Sequence, residues 1–350
     1  MNLVEKPSRG GGPRHTGTRI VAAITARERT MFLESSLARS PLTSEIYFAD
    51  ETALQPERWM AQLAAWRPEI LITAWSTPPI PEPWLSQPGC PLRYVSHIVG
   101  SVRQLVPRAF IEQGGLVTNW GEHISGQVAE HGLLLALAAL RNQSAWGPYI
   151  ARPISDRHIT DIGTRSLFGL RIGLHGFGSV ARALLPLLRP FGVTLTAYSA
   201  GVPDVVLLAH GVKPAASLNG LFAESDVLFE CESLTPSTRQ SVTGSVLAAL
   251  PDHAIFVNIG RGAVVDDDAL VREGLSGRIR LALDVVTVEP LTPESPFMRI
   301  PGIVISPHIA GPTFDRYASC GSHALANVTR YLTDGKPTGA ISLASYDRAT

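Results

Sequence analysis

The sequence predicts an α/β fold built on doubly wound parallel sheets, and three observations carry that reading. Short, almost continuously apolar runs recur with enough chain between them for a helix each time, as strands buried on both faces require. The runs fall into two successive series, so the 350 residues divide into a smaller and a larger lobe. The second series opens on a run that passes straight into a glycine turn and then a helix, the join used between parallel strands.

In the first series, residues 19–25 (RIVAAIT), 69–73 (EILIT), 92–99 (LRYVSHIV) and 115–118 (GLVT) are predicted strands. Residues 57–67 form a helix between the first two, with Trp59, Leu63 and Trp66 at helical spacing. Proline crowds residues 78–91 (PPIPEPWLSQPGCP), which are expected to form a surface loop. Ser125 is placed as the cap of a helix over residues 126–141, ended by Asn142 and Gly147-Pro148. That helix is apolar nearly all round, which predicts burial between lobes or subunits. The second series places strands at residues 170–174, 195–198, 227–230, 254–258, 279–284 and 303–306. A last helix over about residues 313–333 stops at Asp334-Gly335-Lys336-Pro337.

The bulk composition narrows the function. Hydrophobic residues make up 45% and charged residues 17%, as in a compact globular protein. Thirty basic residues balance thirty acidic ones, so nothing favours nucleic acid, an anionic membrane or an acidic partner. Cys90, Cys231 and Cys320 are odd in number, far apart and without metal-ligand spacing, which reads as reduced thiols in a cytoplasmic protein with no metal. Residues 1–18 lack the apolar core of a signal peptide and read as a flexible tail. The longest strongly apolar run, residues 132–140, is far below the roughly 20 residues of a membrane span.

The glycine turn is Arg171-Ile172-Gly173-Leu174-His175-Gly176-Phe177-Gly178-Ser179-Val180-Ala181. Gly176 permits the sharp turn, Gly178 lets backbone approach a pyrophosphate, and Ala181 lets the helix pack close to the sheet. This predicts a Rossmann-type lobe binding a dinucleotide. Ser199 stands at the end of the second strand, where an NAD site usually has an acid. Serine can bond a ribose without repelling a 2′-phosphate, yet no Arg or Lys adjoins it. NAD and NADP therefore both stay open, with the balance towards NAD(H). Pro186, inside the following helix, is expected to kink it.

Three more strand ends carry reactive side chains. Phe256-Val257-Asn258-Ile259-Gly260-Arg261-Gly262 offers an arginine. Ala282-Leu283-Asp284-Val285-Val286-Thr287-Val288-Glu289-Pro290 offers two acids, and Ile305-Ser306-Pro307-His308-Ile309-Ala310-Gly311 a histidine. Each has a plain reading as surface ion pair, solvated loop acid, helix cap or strand-end residue. With Val117-Thr118-Asn119, Val128-Ala129-Glu130-His131 and Leu234-Thr235-Pro236-Ser237-Thr238-Arg239, however, the chain from about Arg19 to Pro337 closely resembles the D-isomer-specific 2-hydroxyacid dehydrogenases. That family includes glyoxylate/hydroxypyruvate reductases and phosphoglycerate dehydrogenase.

The resemblance implies a nicotinamide-dependent oxidoreductase acting on a small 2-keto or D-2-hydroxy acid, with two lobes, the smaller flavodoxin-like. It implies a substrate lobe over residues 19–124 and 311–340 and a dinucleotide lobe over 125–310, substrate held between them, and a homodimer. His308 would be the general acid, Glu289 its partner carboxylate, and Arg261 the grip on the substrate carboxylate. Asp284 would accept from the nicotinamide carboxamide. Gly176, Gly178, Ser179, Val180, Ser199, Ser233, Thr238, Ile259, Gly260 and Gly311 fall at cofactor positions, and Val99, Gly100 and Ser101 at the substrate loop. His131 and His175 are read as structural.

The chain also departs from the family pattern. Ile98-Val99-Gly100-Ser101-Val102 lacks the first glycine and the acid of the usual substrate loop, and Cys231-Glu232-Ser233 replaces a His-x-Pro stretch near the cofactor. Formate dehydrogenases carry glutamine in place of Glu289. A nucleotide-sensing corepressor with the same fold and the same three reactive residues is the alternative reading.

Overall fold

The computed structural model describes residues 18–38 and 40–348. The tail expected over residues 1–18 lies, but for Thr18, outside them. The described residues form two compact units. One comprises those up to Gly121 together with those from Phe314 on, and the other is Glu122–Thr313.

The first unit holds five parallel strands: β1 (Ile20–Ala23), β2 (Ile46–Phe48), β3 (Ile70–Thr73), β4 (Tyr94–His97) and β5 (Leu116–Thr118). Their order, β2-β1-β3-β4-β5, is that of a flavodoxin-like sheet. The central β1, β3 and β4 are buried along their whole length, which is why β1 is wholly apolar and β3 and β4 open on apolar residues before the buried Thr73 and Ser96-His97. Val21, Leu71, Val95, Trp59, Leu63 and Phe110 join one core on the face covered by the Pro56–Trp66 helix. The Tyr317–Asp334 helix packs against β4 and the turns of residues 29–37. It stops at Gly335, whose left-handed conformation ends the ladder.

The second unit holds seven parallel strands: β6 (Arg171–His175), β7 (Thr194–Tyr198), β8 (Lys213–Pro214), β9 (Val227–Glu230), β10 (Ile255–Asn258), β11 (Arg280–Leu283) and β12 (Val304–Ile305). The order β12-β11-β10-β9-β6-β7-β8 is the Rossmann arrangement with one further strand. Its winding reverses between β6 and β9, so the crevice outside the carboxyl ends of those strands is where such sheets take ligands.

Several local expectations are revised. Ser125 does not cap the long helix. Ile124 is its cap residue, without a side-chain hydrogen bond, and Ser125 is the first helical residue. The Ser125–Leu140 helix is not buried all round. Val128, Ala129, Leu135, Ala136, Ala139 and Leu140 pack towards the Ser179–Leu188 helix, β10 and β11, whereas Leu134 is exposed. Gly147-Pro148 falls inside a short helix, Trp146–Ile150, where proline in a first turn costs no hydrogen bond. The proline-rich stretch contains the helical turn Glu82–Leu85. The Ser179–Leu188 helix continues through Pro186 before tightening at Arg189–Phe191, because Pro186 lies on the exposed face, where water can serve the freed carbonyl. Among the described residues, no helix is long and apolar enough to cross a membrane.

Candidate active site

The reactive residues of the second unit all sit at or just beyond the carboxyl ends of its strands. Arg261 follows β10, Asp284 and Glu289 follow β11, and His308 follows β12. Gly262 lets the first two loops meet: a Cβ there would lie 1.9 Å from the carbonyl carbon of Val286. Any side chain would push Arg261 away from the Val286–Glu289 loop.

Glu289 turns back on its own loop. Its Oε1 accepts from the Val286 N–H at 3.1 Å, which leaves Oε2 to meet His308 Nδ1 at 2.6 Å. A carboxylate only accepts, so Nδ1 carries the proton in this bond, and Nε2 is the nitrogen left to face a ligand. The His308 side chain is 53% exposed. Its backbone is left-handed, with φ of 55°, a conformation costly for a residue with a Cβ. Asp284 compensates. Its backbone carbonyl accepts from His308 N–H at 2.9 Å, and its carboxylate accepts from Ile309 N–H at 2.9 Å and Ala310 N–H at 3.0 Å.

Asp284 also accepts from Ser306 Oγ at 2.6 Å. Since the single hydroxyl proton of Ser306 goes to Asp284, the contact of Ser306 Oγ with His131 Nε2 at 2.8 Å has the imidazole as donor. Burial opposes the Asp284 charge, but hydrogen bonds from His131, Ser306, Ile309 and Ala310 hold its pKa below the usual carboxylate range. His131, expected from the sequence to be structural, and Ser306 thus lie against Asp284. Both stand inside motifs already singled out, and the missing signal was their contact across 175 residues.

Arg261 is partly buried, and its Nη1 donates to the Gly260 carbonyl at 2.8 Å. Burial lowers its pKa, and the nearby Glu289 carboxylate works against that shift.

The glycine turn lies at the winding reversal. Gly176 has φ of 87°, and a Cβ on it would come within 2.7 Å of the Glu232 backbone. Gly178 heads the Ser179–Leu188 helix, whose first N–H groups have no side-chain cap, and a Cβ there would meet nothing within 4 Å. An open, uncapped helix start above a glycine turn fits a pyrophosphate. Ser199 follows β7, and Ser233 and Thr238 follow β9, in a turn closed by the Thr238 hydroxyl donating to the Ser233 carbonyl at 2.6 Å. Ile259 and Gly260 follow β10, and Gly311 follows the His308 loop. The Ile259 N–H donates to the Glu230 carbonyl at 3.2 Å, which ties that loop to the crevice.

In the first unit, Val99, Gly100 and Ser101 follow β4. The loop is held by Trp120 N–H donating to the Val99 carbonyl at 3.2 Å and Asn119 Nδ2 to the Gly100 carbonyl at 2.5 Å. His97, which sequence reasoning did not single out, hydrogen-bonds the Ser101 backbone and lies 2.9 Å from Thr73 Oγ1. Burial lowers its pKa to about 4.

Residues 133–310, just over half of the chain, match the model of the D-isomer specific 2-hydroxyacid dehydrogenase, NAD binding domain. Hydroxypyruvate reductase of Thermotoga maritima is 32% identical over 171 residues, which are 48% of this chain and 55% of that protein. The chain thus spans about half the length of that curated relative. Glyoxylate/hydroxypyruvate reductase B of Pectobacterium atrosepticum is 30% identical over 232 residues, 64% of this chain and 71% of that protein. In fold, the chain is similar to the NADPH-dependent glyoxylate/hydroxypyruvate reductase of Sinorhizobium meliloti, with a TM-score of 0.71 at 20% identity over 95% of this chain and 100% of that one. Two parallel sheets of these two orders, the matched domain and the similarity to the Pectobacterium protein together make this chain a member of the D-isomer-specific 2-hydroxyacid dehydrogenase family.

Proposed function

We propose that the protein reduces a small 2-keto acid of the glyoxylate or hydroxypyruvate type to its D-2-hydroxy acid with NAD(P)H, and runs the reverse reaction when product accumulates. The observation that carries this reading is the His308–Glu289 pair at 2.6 Å, with Arg261 one loop away. Bound nicotinamide carries the hydride. Everything else falls to side chains of this chain.

His308 Nε2 donates the proton that the carbonyl oxygen takes up as its carbon receives hydride, and recovers it in the reverse direction. Glu289 keeps the imidazole in the tautomer and orientation that this transfer needs. Arg261 holds the substrate carboxylate with a planar fork of donors and polarises the keto oxygen. Asp284 holds the His308 loop through three backbone N–H groups and retains acceptor capacity for the carboxamide of the cofactor. In this reading the second unit binds the dinucleotide, and Val99, Gly100 and Ser101 of the first unit form its substrate loop. A homodimer is part of the same proposal.

The test follows NADH and NADPH absorbance with glyoxylate, hydroxypyruvate, pyruvate and bulkier keto acids. Turnover of at least one small keto acid is the expected result. Binding of the nucleotides without oxidation by any of these acids would refute the reading.

A further inference from the structure

The strand end that commonly carries an acid for the adenosine ribose here carries Ser199, and residues 190–212 around it include no Lys or Arg. A carboxylate is nevertheless present at that spot. Glu232, from the loop after β9, reaches Ser199, whose hydroxyl donates to its Oε2 at 3.3 Å. It gets there beside the Gly176 turn, where a Cβ would strike its backbone.

Glu232 is also held from behind. Its N–H donates to Glu230 Oε1 at 2.8 Å, and its own Oε1 accepts from the Ser233 N–H at 2.9 Å. Glu230 is fixed in turn by His175 Nδ1 at 2.5 Å, and both side chains are almost wholly buried. These two residues are register partners at the ends of β6 and β9, where the sheet reverses its winding. The result is a braced loop that presents one carboxylate oxygen at the end of β7.

We propose that Glu232 performs, from the β9 loop, the ribose-binding work usually given to an acid at the end of β7, and makes the protein selective for NAD(H) over NADP(H). This rests on the dinucleotide use proposed above. A nucleotide with its pyrophosphate over Gly176–Ser179 brings its adenosine ribose to this strand end. There the Glu232 carboxylate accepts from ribose hydroxyls, with Ser199 as a second polar partner. A 2′-phosphate brings about two negative charges against the same carboxylate, with no neighbouring cation in residues 190–212 to offset them.

The test is equilibrium titration of the full chain with NADH and NADPH, without keto acid, read by fluorescence or calorimetry. NADH is expected to bind at least about tenfold tighter than NADPH. Glu232→Gln and, independently, Glu232→Ala should weaken NADH, strengthen NADPH and narrow that ratio by about tenfold. Adding Ser199→Asp to Glu232→Gln should restore the preference by returning the acid to β7. For the unsubstituted protein, AMP should displace NADH better than adenosine 2′,5′-bisphosphate, a result that needs no variant to fold. Equal or tighter binding of NADPH, or an unchanged ratio in folded Glu232 variants, overturns the inference. Keto-acid turnover without nucleotide preference sinks this inference alone. A preserved preference without turnover sinks only the proposed reaction, and failure to bind either nucleotide sinks both.

Discussion

Two imidazole–carboxylate pairs occupy the second unit with nearly equal geometry and opposite surroundings. His308 and Glu289 meet at 2.6 Å with side chains 53% and 31% exposed, whereas His175 and Glu230 meet at 2.5 Å with side chains 4% and 0% exposed. The bond is the same, and access differs. An open imidazole can pass its second proton to a ligand. An enclosed one has no ligand to reach, so it braces the strand ends. For His175, burial works against the charged ring, but the Glu230 carboxylate outweighs it and raises the pKa. His97 is a third case, enclosed without a carboxylate, and its ring is held neutral. Burial together with the partner, rather than residue type, assigns these histidines their work.

The sharpest break between the pairs comes from removing each ring. His308→Ala is expected to cut keto-acid turnover by about 10³-fold while the denaturant midpoint and NADH affinity stay in place. His175→Leu strands the Glu230 carboxylate in the sheet and should cost about 3–5 kcal/mol, measured by urea unfolding. If the two variants lost turnover and stability alike, the division of labour argued here would collapse.

The next contrast is in pH. Unfolded His97 titrates near the ordinary histidine value of about 6.5 and the folded ring at about 4, so the unfolded state binds more protons between these values. Stability should therefore fall as pH drops through that window, by at most about 3 kcal/mol, and His97→Gln should flatten that acid limb. His175 has the opposite sign. Its raised pKa gives a contribution fully present below the unfolded value and lost as pH rises through the folded one. Urea midpoints measured across pH for wild type and the two variants separate the limbs.

Arg261→Lys keeps the charge but loses the fork, and should lower kcat/KM by about a hundredfold with little change in nucleotide affinity. Wild-type kinetics from that variant would remove Arg261 from the substrate grip. The smallest expected effect is that of Ser306→Ala. It takes one of several hydrogen bonds from Asp284 and should cost about 1 kcal/mol in unfolding free energy, with a modest loss of NADH affinity by titration.

The buried strands were legible because parallel strands covered on both faces need mostly apolar side chains, as β3 and β9 have until their last residues, Thr73 and Glu230. Two strands were not. Ile46–Phe48 and Lys213–Pro214 lie at sheet edges, are only three and two residues long, and carry no run that distinguishes them from loop. The cap placed on Ser125 missed by one position, since a serine before an apolar run is equally at home inside a first turn.

By itself, the sequence determined the strand and helix periodicity, the glycine turn and the residue types that follow each strand, because those depend on side-chain chemistry and near neighbours along the chain. Only the tertiary structure decided which side chains meet. The bonds from Asp284 to the His308 loop and from Ser199 to Glu232 join residues that follow different strands, and that from His131 to Ser306 joins a helix to a strand end. Their distances follow from strand order and register, which bring distant segments to one sheet edge. Burial has the same origin, so the split between an open His308 and an enclosed His175 came with the sheet.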